Sequence, residues 1–202
     1  VLVLGGAVKG VTGIGLPLVA ISGVASVTDV ATAVPLVTIP IVVANLWQAV
    51  QAGPPGVMLR RFWPVILPLT AGLWWSTGMV AASGGRTLNL VLGATVVVFS
   101  VVYYVSPRLR VPRPAEQWSG VLIGAVAGII GGFSTVFGPP ISMYLLALDL
   151  KKDEFIQAIG VLFFAGSVPM MVFYWLHGVL DPGNVGWSAL ACLPVFVGMA
   201  VG

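Results

Sequence analysis

The sequence predicts an all-α polytopic membrane protein built from two homologous repeats. Three observations carry that prediction. The 202 residues are 58% hydrophobic and 7% charged, with a mean hydropathy of +1.07, whereas a soluble domain carries roughly 25% charged residues. Apolar stretches recur along the whole chain, most of them near the roughly 20 residues a helix needs to cross a bilayer. A series of residues in the first half also returns in the same order in the second.

Charges and turn residues divide the chain into seven apolar segments, at 1–24, 30–52, 63–83, 87–105, 119–148, 155–177 and 187–202. The first is interrupted in VKGVTGIGLPLV (8–19) by a lysine, three glycines and a proline, residues that cost a helix about 1 kcal/mol per glycine and 3 per proline. It reads as a retained membrane segment and not a signal peptide, because no small-residue cleavage site followed by a soluble domain comes after it. The second carries Asn45, Gln48 and Gln51 at three-residue spacing, a polar stripe along one helix face. The fourth ends at a connection, SPRLRVPRPAEQ (106–117), with three arginines and three prolines, which reads as a linker between halves. The fifth is again broken, in IGGFSTVFGPP (130–140). The last stops about 16 residues in, so both ends read as trimmed, and about seven to eight membrane segments are expected in the intact protein.

The halves match at Gly6–Gly10 with Gly124–Gly128, Gly13 with Gly131, Pro17 with Pro140, Ala33 with Ala158, Gly53 with Gly178, and Pro68–Gly72 with Pro194–Gly198. A single domain over 1–202 is expected, with repeat one at 1–105, a linker at 106–118 and repeat two at 119–202. Internal duplication of this kind is common in transporters.

Loop charges separate two topologies. If every segment crosses, Arg86, Lys151 and Lys152 face Arg60, Arg61, Arg108, Arg110 and Arg113 across the membrane. If the two broken segments each return to the side they entered, all of these except Arg86 share one side, which fits the positive-inside rule far better. Three crossings per half then remain, so the repeats are inverted. Labels at Ser83 and Asp149 distinguish the two, being on opposite faces only in the inverted arrangement.

Two matching breaks in hydrocarbon must be buried in protein or line a wet cavity, since unpaired backbone groups there cost several kcal/mol. Broken helices offer half-helix N-termini, whose free N–H groups and positive dipole attract anions. Lys9 is the one charge in the first segment, either a functional intramembrane cation or a lysine snorkelling from a segment end. Thr12, Ser134 and Thr135 place hydroxyls in the breaks, either to donate to an oxyanion or to cap freed backbone groups. Asn45 and Gln48 either bond between helices or line a substrate path. Gln157, Ser167 and His177 are looser counterparts in the second half, and His177, before Gly178 at a segment end, reads as interfacial. The seven tryptophans fall mostly near segment ends, as an aromatic belt requires, and pairs such as Gly6 with Gly10 suit helix packing.

Several function classes are excluded. The net charge of +3 is too sparse for a nucleic-acid surface. Cys192 is the sole cysteine, which rules out a disulfide and a metal cluster. No paired carboxylates, Cys/His dyad or Walker-type loop suggests an enzyme or an ATP-driven pump, and no cofactor is expected. The expected partners are a small anion and the lipid bilayer, with homo-oligomerisation left open.

GVTGIGLPLV (10–19) and GIIGGFSTVFGPPISMYLL (128–146), with DVATAVPL (29–36) and RRFWPVILP (60–68) downstream, resemble the sulfite exporter TauE/SafE family, also called the toluene sulfonate uptake permease family. The resemblance extends over nearly the whole chain. It implies a multi-pass transporter of the bacterial cell membrane for small sulfur-containing anions such as sulfite, thiosulfate or organosulfonates. The first motif departs from the family pattern, with Gly-Ile-Gly where relatives often carry three glycines in a row, and Lys9 is not expected in every member. The resulting expectation is alternating access around a substrate site formed by Lys9, Thr12, Gly13, Gly15, Asn45, Gln48, Gly132, Ser134, Thr135 and Gly138. A passive anion channel and a non-transporting accessory subunit are the alternatives.

Overall fold

The computed structural model describes residues 1–51, 53–80, 85–105 and 110–202. Ser83 and Arg108, both used in the topology argument, lie outside the described residues. The described chain is helical, with α1 (Leu2–Thr12), α2 (Leu16–Ala25), α3 (Val30–Gln51), α4 (Gly56–Val80), α5 (Gly85–Val105), α6 (Glu116–Ser134), α7 (Gly138–Ala147), α8 (Lys152–Leu176), α9 (Pro182–Leu190) and α10 (Cys192–Val201). Among the described residues, four stretches are long and apolar enough to cross a membrane: α3, α8, the run of α6 with the 3₁₀ turn before it, and α9 continued by α10. Every tryptophan is at least half exposed, as an aromatic belt at the rim of a bilayer would be.

Three helix starts have a local reason. Asp29 caps α3, accepting from the Thr32 N–H at 2.8 Å. Asp181 and Asn184 form a reciprocal capping box at the head of α9, with Pro182 in its first turn, so this helix begins five residues before the apolar run at 187. α4 likewise begins at Gly56, ahead of the apolar run at 63, because Arg60 and Arg61 stay exposed on its first turns. Arg61 pairs there with Glu116 at 2.7 Å.

Both broken segments fold back on themselves. In the first, the N-terminal Val1 side chain lies against Gly23 and Gly5 lies against Leu16 and Ala20, so α1 and α2 run antiparallel. In the second, Gly131 meets Phe137, Tyr144 Oη donates to the Glu116 carbonyl at 2.8 Å, and the Val111 N–H donates to the Ala147 carbonyl at 2.8 Å. The chain therefore enters and leaves the α6/α7 hairpin at one end of the molecule.

Glycines set how closely the hairpins bed against their neighbours. α6 lies on α4, where a Cβ on Gly124 would collide with the Val65 carbonyl and one on Gly128 with the Leu69 carbonyl. α1 lies on α10, where a Cβ on Gly6 would collide with the Val195 carbonyl and one on Gly198 with the Val3 carbonyl. The GlyxxxGly spacing thus serves packing, as it commonly does between membrane helices. α3 and α8 pack together between these two blocks, and the central core runs through Ile41, Leu69, Ile141, Leu162 and Met170, all fully buried.

Candidate functional site

The first break is built around two left-handed residues, Gly13 (φ 73°) and Gly15 (φ 96°), a conformation that glycine adopts without steric cost. The Gly13 N–H closes α1 on the Lys9 carbonyl at 2.7 Å. Thr12 Oγ1 donates to the Val8 carbonyl at 2.7 Å and accepts from the Ile14 N–H at 3.2 Å. The second break repeats this pattern. The Thr135 N–H closes α6 on the Gly131 carbonyl at 2.7 Å, while Ser134 Oγ donates to the Ile130 carbonyl at 2.9 Å and accepts from the Val136 N–H at 3.2 Å. Thr135 itself is left-handed (φ 57°), an uncommon state for a β-branched residue; its hydroxyl donates to the Ser134 carbonyl at 2.6 Å. Of the two roles open to the hydroxyls, capping is the one they occupy here.

Lys9 is 97% buried, with 3% of its surface exposed. Its ammonium donates to Asn45 Oδ1 at 2.7 Å, to Gln48 Oε1 at 2.8 Å and, at the limit of hydrogen-bond distance, to the Gly13 carbonyl at 3.5 Å. It also stands 5.6 Å from the centroid of the Phe163 ring, within cation–π range. No carboxylate among the described residues pairs with it. A buried charge satisfied only by neutral groups is costly.

Two cavities meet at this lysine. One, of about 670 Å³, is an open vestibule lined by Thr12, Gly13, Gln48 and Gln51, the start of α8 and the end of α10. The other, of about 20 Å³, lies between the breaks and is lined by Gly15, Pro17, Asn45, Thr135, Gly138 and Phe163 among others; it has room for about one water molecule. Lys9 lines both. The first residues of α2 and of α7 border the small cavity, and neither helix has a side-chain cap at its N-terminus. Two positive dipole ends therefore converge beside one buried cation, with few free N–H groups because Pro17, Pro139 and Pro140 occupy the first turns.

The structure thus brings together Lys9, Gly13, Asn45 and Gln48, with Gly15, Thr135 and Gly138 around the adjoining cavity. Thr12 lines the vestibule wall. Gly132 stands apart: it packs against Ser76 of α4, and its carbonyl accepts from Tyr174 Oη at 2.8 Å. Ser134 is buried within the second break and lines neither cavity. Among the looser counterparts, Gln157 donates to the Pro54 carbonyl at 2.9 Å and Ser167 to the Phe164 carbonyl at 3.2 Å. His177 Nδ1 lies 2.8 Å from the Phe173 carbonyl, beside Trp74.

Sequence reasoning missed Phe163. Its carbonyl accepts from Asn45 Nδ2 at 3.2 Å, fixing the amide that holds Lys9, and its ring flanks the ammonium. An apolar residue in an apolar helix carries no signal of either role.

Two comparisons are empty: no curated protein and no solved structure matches the chain. The family model described as Sulfite exporter TauE/SafE matches residues 1–202, the whole length. With apolar helices, two matching helix breaks and a buried cation between them, the chain belongs to the sulfite exporter TauE/SafE family of membrane transporters.

Proposed function

We propose that the chain is a secondary transporter that moves small sulfur-containing anions, such as sulfite, thiosulfate or organosulfonates, across the bacterial cell membrane by alternating access. The anion binds at Lys9, between the uncapped N-termini of α2 and α7. The observation that carries this reading is the buried ammonium with only neutral oxygens around it. No carboxylate among the described residues balances its charge, and an anion is the ligand that would balance it.

The repeats are inverted in this reading. Support comes from the bonding the two breaks share, which favours pairing Thr12 with Ser134 and Gly13 with Thr135. That register also pairs Gly6 with Gly128, and both of these glycines abut a carbonyl of the neighbouring helix, Val195 and Leu69 respectively. It lies one helical turn beyond the match by residue identity, and it sets Lys9 opposite Gly131. Further support comes from the ends of the hairpins. The α6/α7 hairpin opens beside Arg61 and Asp149, the latter 4.0 Å from Arg110, whereas the tip of α1/α2 lies near Gln51, at the basic end. By the positive-inside rule the basic end is cytoplasmic, so the vestibule faces the cytoplasm.

The test is flux in proteoliposomes with radiolabelled sulfite, thiosulfate, taurine, isethionate and sulfoacetate, for the unmodified chain and Lys9→Ala. Saturable, counter-transport-stimulated flux of at least one anion, lost in Lys9→Ala, is expected. Normal flux in Lys9→Ala at every substrate concentration would refute the site.

A further inference from the structure

Lys9 separates the vestibule from the cavity between the breaks, and its two short bonds lie on different sides of that partition. Gln48 lines the vestibule and not the inner cavity; Asn45 lines the inner cavity and not the vestibule. The two amides are also held differently. Asn45 is 3% exposed, and its Nδ2 is anchored on the Phe163 carbonyl. Gln48 is half-buried, and its Oε1 accepts from Lys9 while its Nε2 donates to no described residue. A Cβ on Gly13 would come within 2.9 Å of that Nε2, so glycine there leaves the amide room.

From this we infer that Gln48 is a displaceable placeholder: its carbonyl oxygen occupies the position on the ammonium that an oxygen of the incoming anion takes, while Asn45 keeps hold of Lys9. The inference rests on the proposal that the anion binds Lys9, and it changes the part Gln48 plays, from a ligand of the anion to its competitor. An anion arriving through the vestibule meets Gln48 first. The inner cavity, with space for one water, can accept the anion only once the amide has swung away and Lys9 has shifted. Displacement is inexpensive, because a freed Gln48 carbonyl turns into the vestibule and is rehydrated, whereas a freed Asn45 oxygen stays buried and unpaired. Gln48 therefore sets a threshold, admitting anions whose oxygens bind an ammonium better than a neutral amide does.

The two roles predict opposite signs. The measurement is equilibrium binding of radiolabelled sulfite and thiosulfate to the purified chain in nanodiscs, for the unmodified chain, Gln48→Ala, Gln48→Met, Asn45→Ala and Lys9→Ala. Removing a competitor for a charged donor should tighten Kd about tenfold in both Gln48 variants, while Asn45→Ala weakens binding and Lys9→Ala abolishes it. If both Gln48 variants bind as the unmodified chain does or more weakly while Lys9→Ala is still defective, the placeholder role is overturned and the Lys9 site stands. Gln48 variants that fail to yield monodisperse protein overturn it as well, since the residue would then be structural. Unchanged binding in Lys9→Ala, or no saturable binding of either anion to the unmodified chain, overturns the site itself.

Discussion

Replacing Lys9 by methionine separates a functional cation from a structural one. The substitution keeps the unbranched stem, which is packed with 3% of the residue exposed, and removes only the ammonium. Two short hydrogen bonds are lost, to Asn45 and Gln48, each worth about 1.5–3 kcal/mol for a charged donor. The contact to Gly13 at 3.5 Å is too long to add much. Against this loss of about 3–6 kcal/mol stands relief of the ammonium's desolvation, several kcal/mol even after relaxation. The two nearly cancel. What remains is the buried Asn45 oxygen without its donor, about 1–3 kcal/mol, since Gln48 can turn to water in the vestibule. Lys9→Met should therefore lose no more than about 3 kcal/mol, read as the denaturation midpoint in detergent by tryptophan fluorescence, while sulfite flux in proteoliposomes falls to background. A loss above about 5 kcal/mol, the upper range for breaking a buried pair, or flux equal to the unmodified chain would refute the reasoning. In the first case Lys9 would be a tether of α1 to α3, and in the second it would be irrelevant to the anion.

The glycines allow a paired comparison. A Cβ on Gly128 meets the Leu69 carbonyl, whereas one on Gly93 meets nothing within 4 Å; Gly128→Ala should cost about 1–3 kcal/mol, and Gly93→Ala should gain up to about 1 kcal/mol. Equal midpoints for the two variants would count against the close α4–α6 contact. In a Cys192→Ala background, single cysteines at Ser83 and Asp149 should react with an impermeant thiol reagent from opposite faces of sealed vesicles, and labelling from the same face would rule out the inverted arrangement.

Much of this was legible in the sequence for identifiable reasons. The apolar segments at 30–52 and 155–177 fall within a few residues of α3 and α8 because charges and prolines mark their ends. The three-residue spacing of Asn45 and Gln48 put both on one face, and it is that face which grips Lys9, with Gln51 further along the vestibule wall. The heads of α4 and α9 lie ahead of the apolar runs at 63 and 187, because hydropathy stops at the first charge or turn residue while the helix continues to its start. On the two-repeat reading, the register was hidden for a different reason. α6 carries glycine at 120, 124, 128 and 132, one per turn, so identity alone fits several alignments a turn apart, and only the bonding of Thr12 and Ser134 favours one. Gly132 shows the converse: its neighbours are those of a packing position, a role that nothing in its own segment could separate from lining a site.

The crossed bedding of the hairpins bears on ancestry. α6 rests on α4, from the other half, and α1 rests on α10, again from the other half, while α2 stays on α3 and α7 on α8, so on the inverted reading each half offers its hairpin only part of the surface that covers it. A single ancestral copy would have had to borrow the rest of that surface from a second copy inserted upside down. Its gene product would then have been a dual-topology dimer, which fusion would have made permanent. On the same reading the two halves are no longer equivalent at the site: Lys9 of one stands opposite Gly131 of the other, and the charge lies on a single side.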